Sequence, residues 1–264
     1  MHKEVMHFLR YSAVTDVGRH RSNNEDCYLC SPTQGLWLVA DGMGGHAAGE
    51  VASAITRDTI FQSTQQGVPL ADAVQAAHEA IIKSAERGIG GEGMGSTVVA
   101  ATSRAQQYHI AWVGDSRAYL WAPSSQTLTQ LTRDHSYVQM LVDSGAIDKQ
   151  DMANHPERNI ITQCLGSQDL KKVKVDSITG TWQKDEMLVL CSDGLTDTVS
   201  DEKIRDLLSM TNTPQAATRA LVDAALQSGG RDNITVVTLC APTQIQQWIS
   251  STGAAVAEAF RQFR

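Results

Sequence analysis

The chain has 264 residues, of which 42% are apolar and 19% charged, with a formal net charge of −7. That length holds one large domain or two small ones, with enough apolar residues for a sizeable core and no compositional sign of long disordered tails. An acidic chain is a poor binder of nucleic acid or anionic membrane through bulk charge, and no apolar run approaches the ~18 residues of a membrane span.

The segment Met1 to Arg10 mixes His2, Lys3, Glu4 and His7, so it lacks a signal peptide's apolar core. β-rich runs follow at Leu9–Val17, Cys27–Cys30 and Leu36–Ala40. Two helical stripes come next, Ala48, Val51, Ala52 and Ile55, then Leu70, Ala73, Val74, Ala77, Ile81 and Ile82. Gly67-Val68-Pro69 punctuates between them and predicts an antiparallel helix pair. Strand runs at Thr97–Thr102, Tyr108–Val113, Ala118–Trp121 and Gln126–Leu131 are too closely spaced for crossover helices, so they should pair antiparallel. A helical pattern returns at Ser136–Ser144. It lies in an irregular polar stretch, 133–166, which reads either as a flap beside a site or as a surface insertion. Strands at Val173–Ile178 and Met187–Cys191, helices at Glu202–Leu208 and Pro214–Leu226, and a strand at Ile234–Leu239 complete the pattern. Strands in blocks and helices in pairs predict sheets covered by helix layers, not a βαβ series.

No repeat or linker divides residues 1–241. Beyond them, in 242–264, Ile245, Trp248, Ile249, Val256, Phe260 and Phe263 recur at near-helical spacing and mark an amphipathic tail. Five cysteines, an odd number over a long chain, read as reduced thiols and a cytoplasmic setting.

Four acids stand at the ends of apolar strands. Leu36–Ala40 runs into Asp41-Gly42, Ile110–Gly114 into Asp115-Ser116, and Leu188–Ser192 into Asp193-Gly194; Asp232-Asn233 leads into Ile234–Val237. One Asp-Gly after a strand is ordinarily a turn. If four such ends converge, like charges must raise one another's pKa unless a cation neutralises them. Oxygen ligands favour Mg²⁺ or Mn²⁺, and two such ions about 4 Å apart can activate a water and polarise a phosphoryl group. Upstream, Arg21 precedes Glu25 and Asp26, and a guanidinium fork suits a phosphate.

Rival patterns are weaker. Gly42–Ala47 fits a dinucleotide-binding fingerprint, but the following strands are too close for parallel βαβ units. Gly90–Thr97 lacks the lysine of a phosphate-binding loop. Cys27 and Cys30 are three apart in a strand and face opposite sides, so they read as ordinary thiols. Ser200-Asp201-Glu202-Lys203 is better explained as a helix cap than as a nucleophile motif.

Arg21-x-x-Asn24-Glu25-Asp26, Asp41-Gly42-Met43-Gly44-Gly45-His46, Gly95-Ser96-Thr97, Val113-Gly114-Asp115-Ser116-Arg117, Ser192-Asp193-Gly194 and Arg231-Asp232-Asn233-Ile234-Thr235 occur in one order. Together with Asp134-His135-Ser136 and His155-Pro156-x-Arg158-Asn159, they resemble the bacterial branch of the metal-dependent serine/threonine protein phosphatases, called PP2C-like or PPM phosphatases. The resemblance spans about Tyr11 to Ala241. It implies an α+β fold, a four-layer α-β-β-α sandwich with two antiparallel sheets between helix pairs. It implies two Mn²⁺ or Mg²⁺ ions, bridged by Asp41, with the Gly42 carbonyl on one and Asp193 and Asp232 on the other. By the same resemblance Glu25 would lie close to the metals, Asp26 would orient a metal-bound water, and Asp115 with Asp193 would supply a third, weaker ion site. Arg21 would take the substrate phosphate, and a bridging hydroxide would attack phosphorus in line.

Met43 stands where eukaryotic members often carry a general-acid histidine, so the proton must come from elsewhere; His46 is the nearest histidine by sequence. The implied partners are phosphorylated proteins, among them a serine/threonine kinase and its substrates, with the phosphatase a monomer. The alternative, a catalytically weak phosphoprotein-binding or scaffold member, is marked by loss of the metal acids, and all of them are present.

Overall fold

Strand blocks and helix pairs alternate through residues 9–44 and 48–242, the part of the chain that the computed structural model describes. β1 (Tyr11–Asp16), β2 (Asp26–Ser31) and β3 (Leu36–Met43) lead into α1 (Ala48–Gln65) and α2 (Leu70–Glu86). The two-residue β4 (Gly95–Ser96) precedes β5 (Val98–Arg104), β6 (Gln107–Val113), β7 (Arg117–Ala122) and β8 (Thr127–Gln130). α3 (Tyr137–Asp143) and a 3-10 turn (Lys149–Asn154) follow. Then come β9 (Asp176–Thr181), β10 (Met187–Cys191), α4 (Asp193–Thr196), α5 (Asp201–Ser209), α6 (Pro214–Gln227) and β11 (Ile234–Cys240). The amphipathic spacing of the tail and His46 lie outside the described residues.

One sheet has the order β1-β11-β10-β7-β8; the other has β2-β3-β5-β6-β9, with β4 paired to β3. Every strand pairing among the described residues is antiparallel, which removes the dinucleotide-fold reading of Gly42–Ala47.

The apolar residues sort into three buried clusters that define four layers. Trp37, Val39, Val99 and Ile110 of the second sheet meet Leu188, Leu190, Val237 and Leu239 of the first. Leu38, Val98 and Ala100 on the opposite face pack on Ile60 of α1 and Val74 and Ile81 of α2. Val189 and Val236 pack outward on Ile204, Leu221 and Val222 of α5 and α6. Successive residues of a strand point to opposite faces, so β3 is apolar at every position from Leu36 to Ala40 because both of its faces are covered. Each buried Leu, Val or Ile there contributes about 1.5–3 kcal/mol of transfer free energy.

Helix starts follow from the sequence. Ser200 accepts from Lys203 N, Thr213 from Ala216 N with Pro214 in the first turn, and Ser136 from Gln139 N. The Ser200–Lys203 pattern is thus a cap. β4, the 3-10 turn and α4 have no counterpart in the sequence expectation, and among the expected elements β9 and β3 differ most in their bounds. β9 begins at Asp176, not Val173, because Val173 is a buried plug in the α1–α2 cluster. β3 runs on through Asp41, Gly42 and Met43, held by β4. No helix among the described residues is long and apolar enough to cross a membrane.

Candidate metal centre

Antiparallel pairing is what gathers the acids. β10 runs between β7 and β11, so its C-terminal end lies beside the N-terminal ends of both, with Cys191 opposite Arg117 and Val236. Asp115 precedes β7, Asp193 follows β10 and Asp232 precedes β11, so the three share one end of the first sheet. In the second sheet the β2–β3 register sets Asp26 opposite Asp41. Thr97 N donates to the Asp41 carbonyl at 2.8 Å, fixing the end of β3. Ser192 ties the two sheets together: its hydroxyl donates to Asp26 Oδ2 at 2.7 Å and accepts from Thr235 N at 3.0 Å.

Asn233 does similar work for the loop that carries Arg21. Its Oδ1 accepts from Glu25 N at 2.8 Å, and its Nδ2 donates to the carbonyls of Val17 and Asn23, both at 2.9 Å. The Glu25 carboxylate accepts from the Gly49 amide in the first turn of α1, where the helix dipole favours an anion. Two glycines make this approach feasible. A Cβ on Gly42 would lie 2.0 Å from the Gly49 carbonyl oxygen, and Gly114 takes φ +105° with a Cβ position 2.5 Å from Thr97 Cβ.

Arg21, Glu25, Asp41, Asp115, Asp193 and Asp232 line one cavity of about 550 Å³. Asp26 lies behind that wall, 7% exposed, and its Oδ1 has no hydrogen-bond partner. Burial, and then the charges of Asp26, Asp193 and Asp115, push Asp41 well above the usual carboxylate range. Burial and the charges of Asp115 and Asp197 do the same to Asp193. Asp115 is pushed up to about 7 by burial and then by Asp134. Asp26 rises to about 6, because burial outweighs hydrogen bonds from Thr235 and Ser192. Glu25 is raised by burial against the pull of Arg21.

Arg21 Nη2 meets Asp232 Oδ2 at 2.7 Å, both side chains being well exposed. Burial opposes its charge, but Asp232 more than compensates, and the guanidinium pKa is raised. The donor set is all oxygen, the charges repel one another, and one buried carboxylate oxygen is orphaned. These are the properties of a site for hard divalent cations. Asp41 lies opposite Asp26 in the β2–β3 register and feels the charges of Asp26, Asp193 and Asp115. Among the described residues, no three acids, histidines or cysteines stand close enough together to hold a metal ion as they are.

A sequence profile described as Protein phosphatase 2C matches residues 18–228. The chain belongs to the protein phosphatase 2C family. It is 38% identical over 236 residues to the serine/threonine phosphatase stp of Listeria welshimeri, covering 84% of this chain and 92% of that one. Serine/threonine protein phosphatase PstP of Mycobacterium tuberculosis is 38% identical over 237 residues, which make up 87% of this chain and 44% of that protein. The crystal structure of the PstP catalytic domain in complex with two manganese ions superposes with a TM-score of 0.78 at 35% identity, covering 89% of this chain and 99% of that one. Stp1 of Staphylococcus aureus gives a TM-score of 0.81 at 33% identity, covering 92% and 99%. Like these relatives, the chain is a protein phosphatase 2C of bacterial type, a serine/threonine protein phosphatase.

All the acids singled out in the sequence come together, with Asp26 set behind the others. Cys27 and Cys30 do not join them. The Cys27 thiol donates to the Ser53 carbonyl, and burial pushes Cys27 up to about 11 and Cys30 up to about 12. Reading the sequence missed the roles of Asn233, Ser192 and Asp197. The first two are ordinary polar residues whose partners lie far along the chain. Asp197 had a signal: it stands four residues after Asp193, one helical turn on, where burial raises its pKa.

Proposed function

We propose that this cavity hydrolyses phosphoserine and phosphothreonine in phosphoproteins with divalent ions held by Asp41, Asp193, Asp232, Glu25 and the Gly42 carbonyl. The observation that carries the reading is the convergence of mutually repelling carboxylates and one arginine on a single cavity. Mn²⁺ or Mg²⁺ bound there would activate a water at neutral pH and draw charge from the phosphoryl oxygens. Asp41 faces Asp26 across the β2–β3 register and lies in the field of Asp193 and Asp115, so it would be the carboxylate common to the ions held there. Asp115 and Asp193, beside Asp197, would supply the donors if a third ion binds. Asp26, with its free oxygen and its tether to Ser192, would orient a water held at the site. Arg21 exchanges its pairing with Asp232 for the substrate phosphate, to which its fork can donate two parallel bonds. Met43 lines the cavity and has no proton to give, so the departing alkoxide takes its proton from water or a carboxyl group.

The biological partner in this reading is a serine/threonine kinase whose products the phosphatase reverses, and the phosphatase works as a cytoplasmic monomer. Five free thiols support the reducing compartment. The test is turnover of p-nitrophenyl phosphate and a phosphothreonine peptide in EDTA, then with Mn²⁺ restored. Loss and recovery together support the reading, whereas full activity in chelator overturns it.

A further inference from the structure

Two histidines outside the cavity are buried and held in matching ways. His78 on α2 is fully enclosed: its Nδ1 accepts from Gly166 N at 3.1 Å and its Nε2 faces the Leu170 carbonyl at 3.0 Å. His135 accepts from Gly114 N at 3.2 Å through Nδ1 and faces Asp176 Oδ2 at 3.2 Å through Nε2. A ring nitrogen that accepts an amide hydrogen carries none itself, so the network assigns the proton to Nε2 in both rings.

The amides they hold mark the two roots of segment 133–166. At the outgoing root, His135 N donates to the Gly114 carbonyl at 2.9 Å and Trp112 Nε1 to the Arg133 carbonyl at 2.9 Å. At the returning root, Ser96 and Leu165 exchange backbone bonds of 3.0 and 2.8 Å. Ser96 in turn pairs with Gly42 of β3. Thr162 N donates to the His135 carbonyl at 2.7 Å and closes the two roots on each other.

From those roots the segment builds walls. Asn159 and Ile161 line the metal cavity. Ser136, Gln139, Met152 and Arg158 line an adjoining cavity of about 370 Å³ that faces Asp197 and Asp201. A small phosphate ester needs only the first cavity, whereas the residues flanking a phosphoserine in a protein would extend beyond it and meet the wall.

We infer that His78 and His135 are positioning residues that fix the roots of segment 133–166 and so set the wall that a protein substrate meets. The inference rests on the phosphatase reading above. Neither histidine lines the metal cavity. Each acts through a glycine amide that hydrocarbon could not satisfy.

The test compares His78→Leu with His78→Asn, whose Oδ1 occupies the Nδ1 position and can still accept from Gly166. Both are assayed on phosphorylated casein and on p-nitrophenyl phosphate with Mn²⁺. His78→Leu should raise KM for casein about five-fold or more, while kcat/KM for the small ester stays within about two-fold of wild type. His78→Asn should restore the casein KM. Equal losses on both substrates, no change on either, or an Asn variant no better than Leu overturns the inference. If His78→Leu cannot be recovered folded, His78→Gln, which serves Leu170 alone, must show the split that His78→Asn does not. A wild-type protein inactive on both substrates defeats the phosphatase reading itself. An active wild type whose variants show no split defeats only the role given to the histidines.

Discussion

Asn233→Ala is the most informative substitution outside the carboxylates. The side chain is 5% exposed and makes three hydrogen bonds of 2.8–2.9 Å to Glu25 N and to the carbonyls of Val17 and Asn23. Those partners sit at the two ends of the loop that carries Arg21, so one side chain closes the loop. Removing a partner from a buried donor or acceptor costs about 1–3 kcal/mol per group. Water can reach the two carbonyls once the side chain is gone, so the Glu25 amide sets the floor and a total of about 2–4 kcal/mol follows. For a chain of this size each kcal/mol lowers the midpoint by about 2–4 °C, so calorimetry should show a fall of roughly 5–15 °C. Kinetics on p-nitrophenyl phosphate should show a raised KM, because Arg21 is no longer held at the cavity. Asn233→Asp keeps the acceptor for Glu25 N and should fall between the two in stability. A midpoint unchanged within about 2 °C for Asn233→Ala would refute the clamp.

Arg21→Ala should lower kcat/KM by roughly 10–100-fold through the lost charged hydrogen bond to phosphate, with Tm nearly unchanged because its pair with Asp232 is exposed. Stability without metal should fall as pH rises. Asp26 and Asp115 are raised in the folded state to about 6 and about 7 from an ordinary 3.8, so the penalty is absent well below 3.8, where folded and unfolded chains are both protonated, grows as pH rises from there towards those values, and levels off above them. Asp115 alone, at about 7 against an ordinary 3.8, accounts for on the order of 4 kcal/mol, so the rise in Tm on adding Mn²⁺ should be clearly larger at pH 7.5 than at pH 5. An equal rise at both would contradict it. Gly114→Ala should destabilise by about 1–3 kcal/mol in denaturant unfolding, since φ +105° and the Thr97 side chain both resist a Cβ.

Much of the fold was legible because both faces of the central strands are buried, so Leu36–Ala40 and Leu188–Cys191 announce themselves as unbroken apolar runs. β9 was misplaced for the same reason in reverse: Val173 is apolar because it plugs a core, not because it lies in a strand. The candidate acids were legible because Asp41, Asp115 and Asp193 each follow an apolar run and Asp232 precedes one, while Glu25 and Asp26 stood out only beside Arg21. What local pattern cannot carry is the tertiary partner. Ser192 reaches Asp26 across 166 positions and Asn233 reaches Val17 across 216, and nothing near either residue points to the other. Segment 133–166 was open to two readings in the sequence. Its place is set by long-range bridges such as Ser96 to Leu165 and by two buried histidines.

If the converging carboxylates hold divalent ions for phosphate-ester hydrolysis, calorimetric titration of chelator-stripped protein with Mn²⁺ reads it directly, alongside Asp193→Asn and Asp232→Asn. The wild-type chain should take up at least two ions and each variant fewer, with activity returning in step with occupancy. Wild-type stoichiometry and affinity in both variants, or turnover by the stripped enzyme, would contradict it.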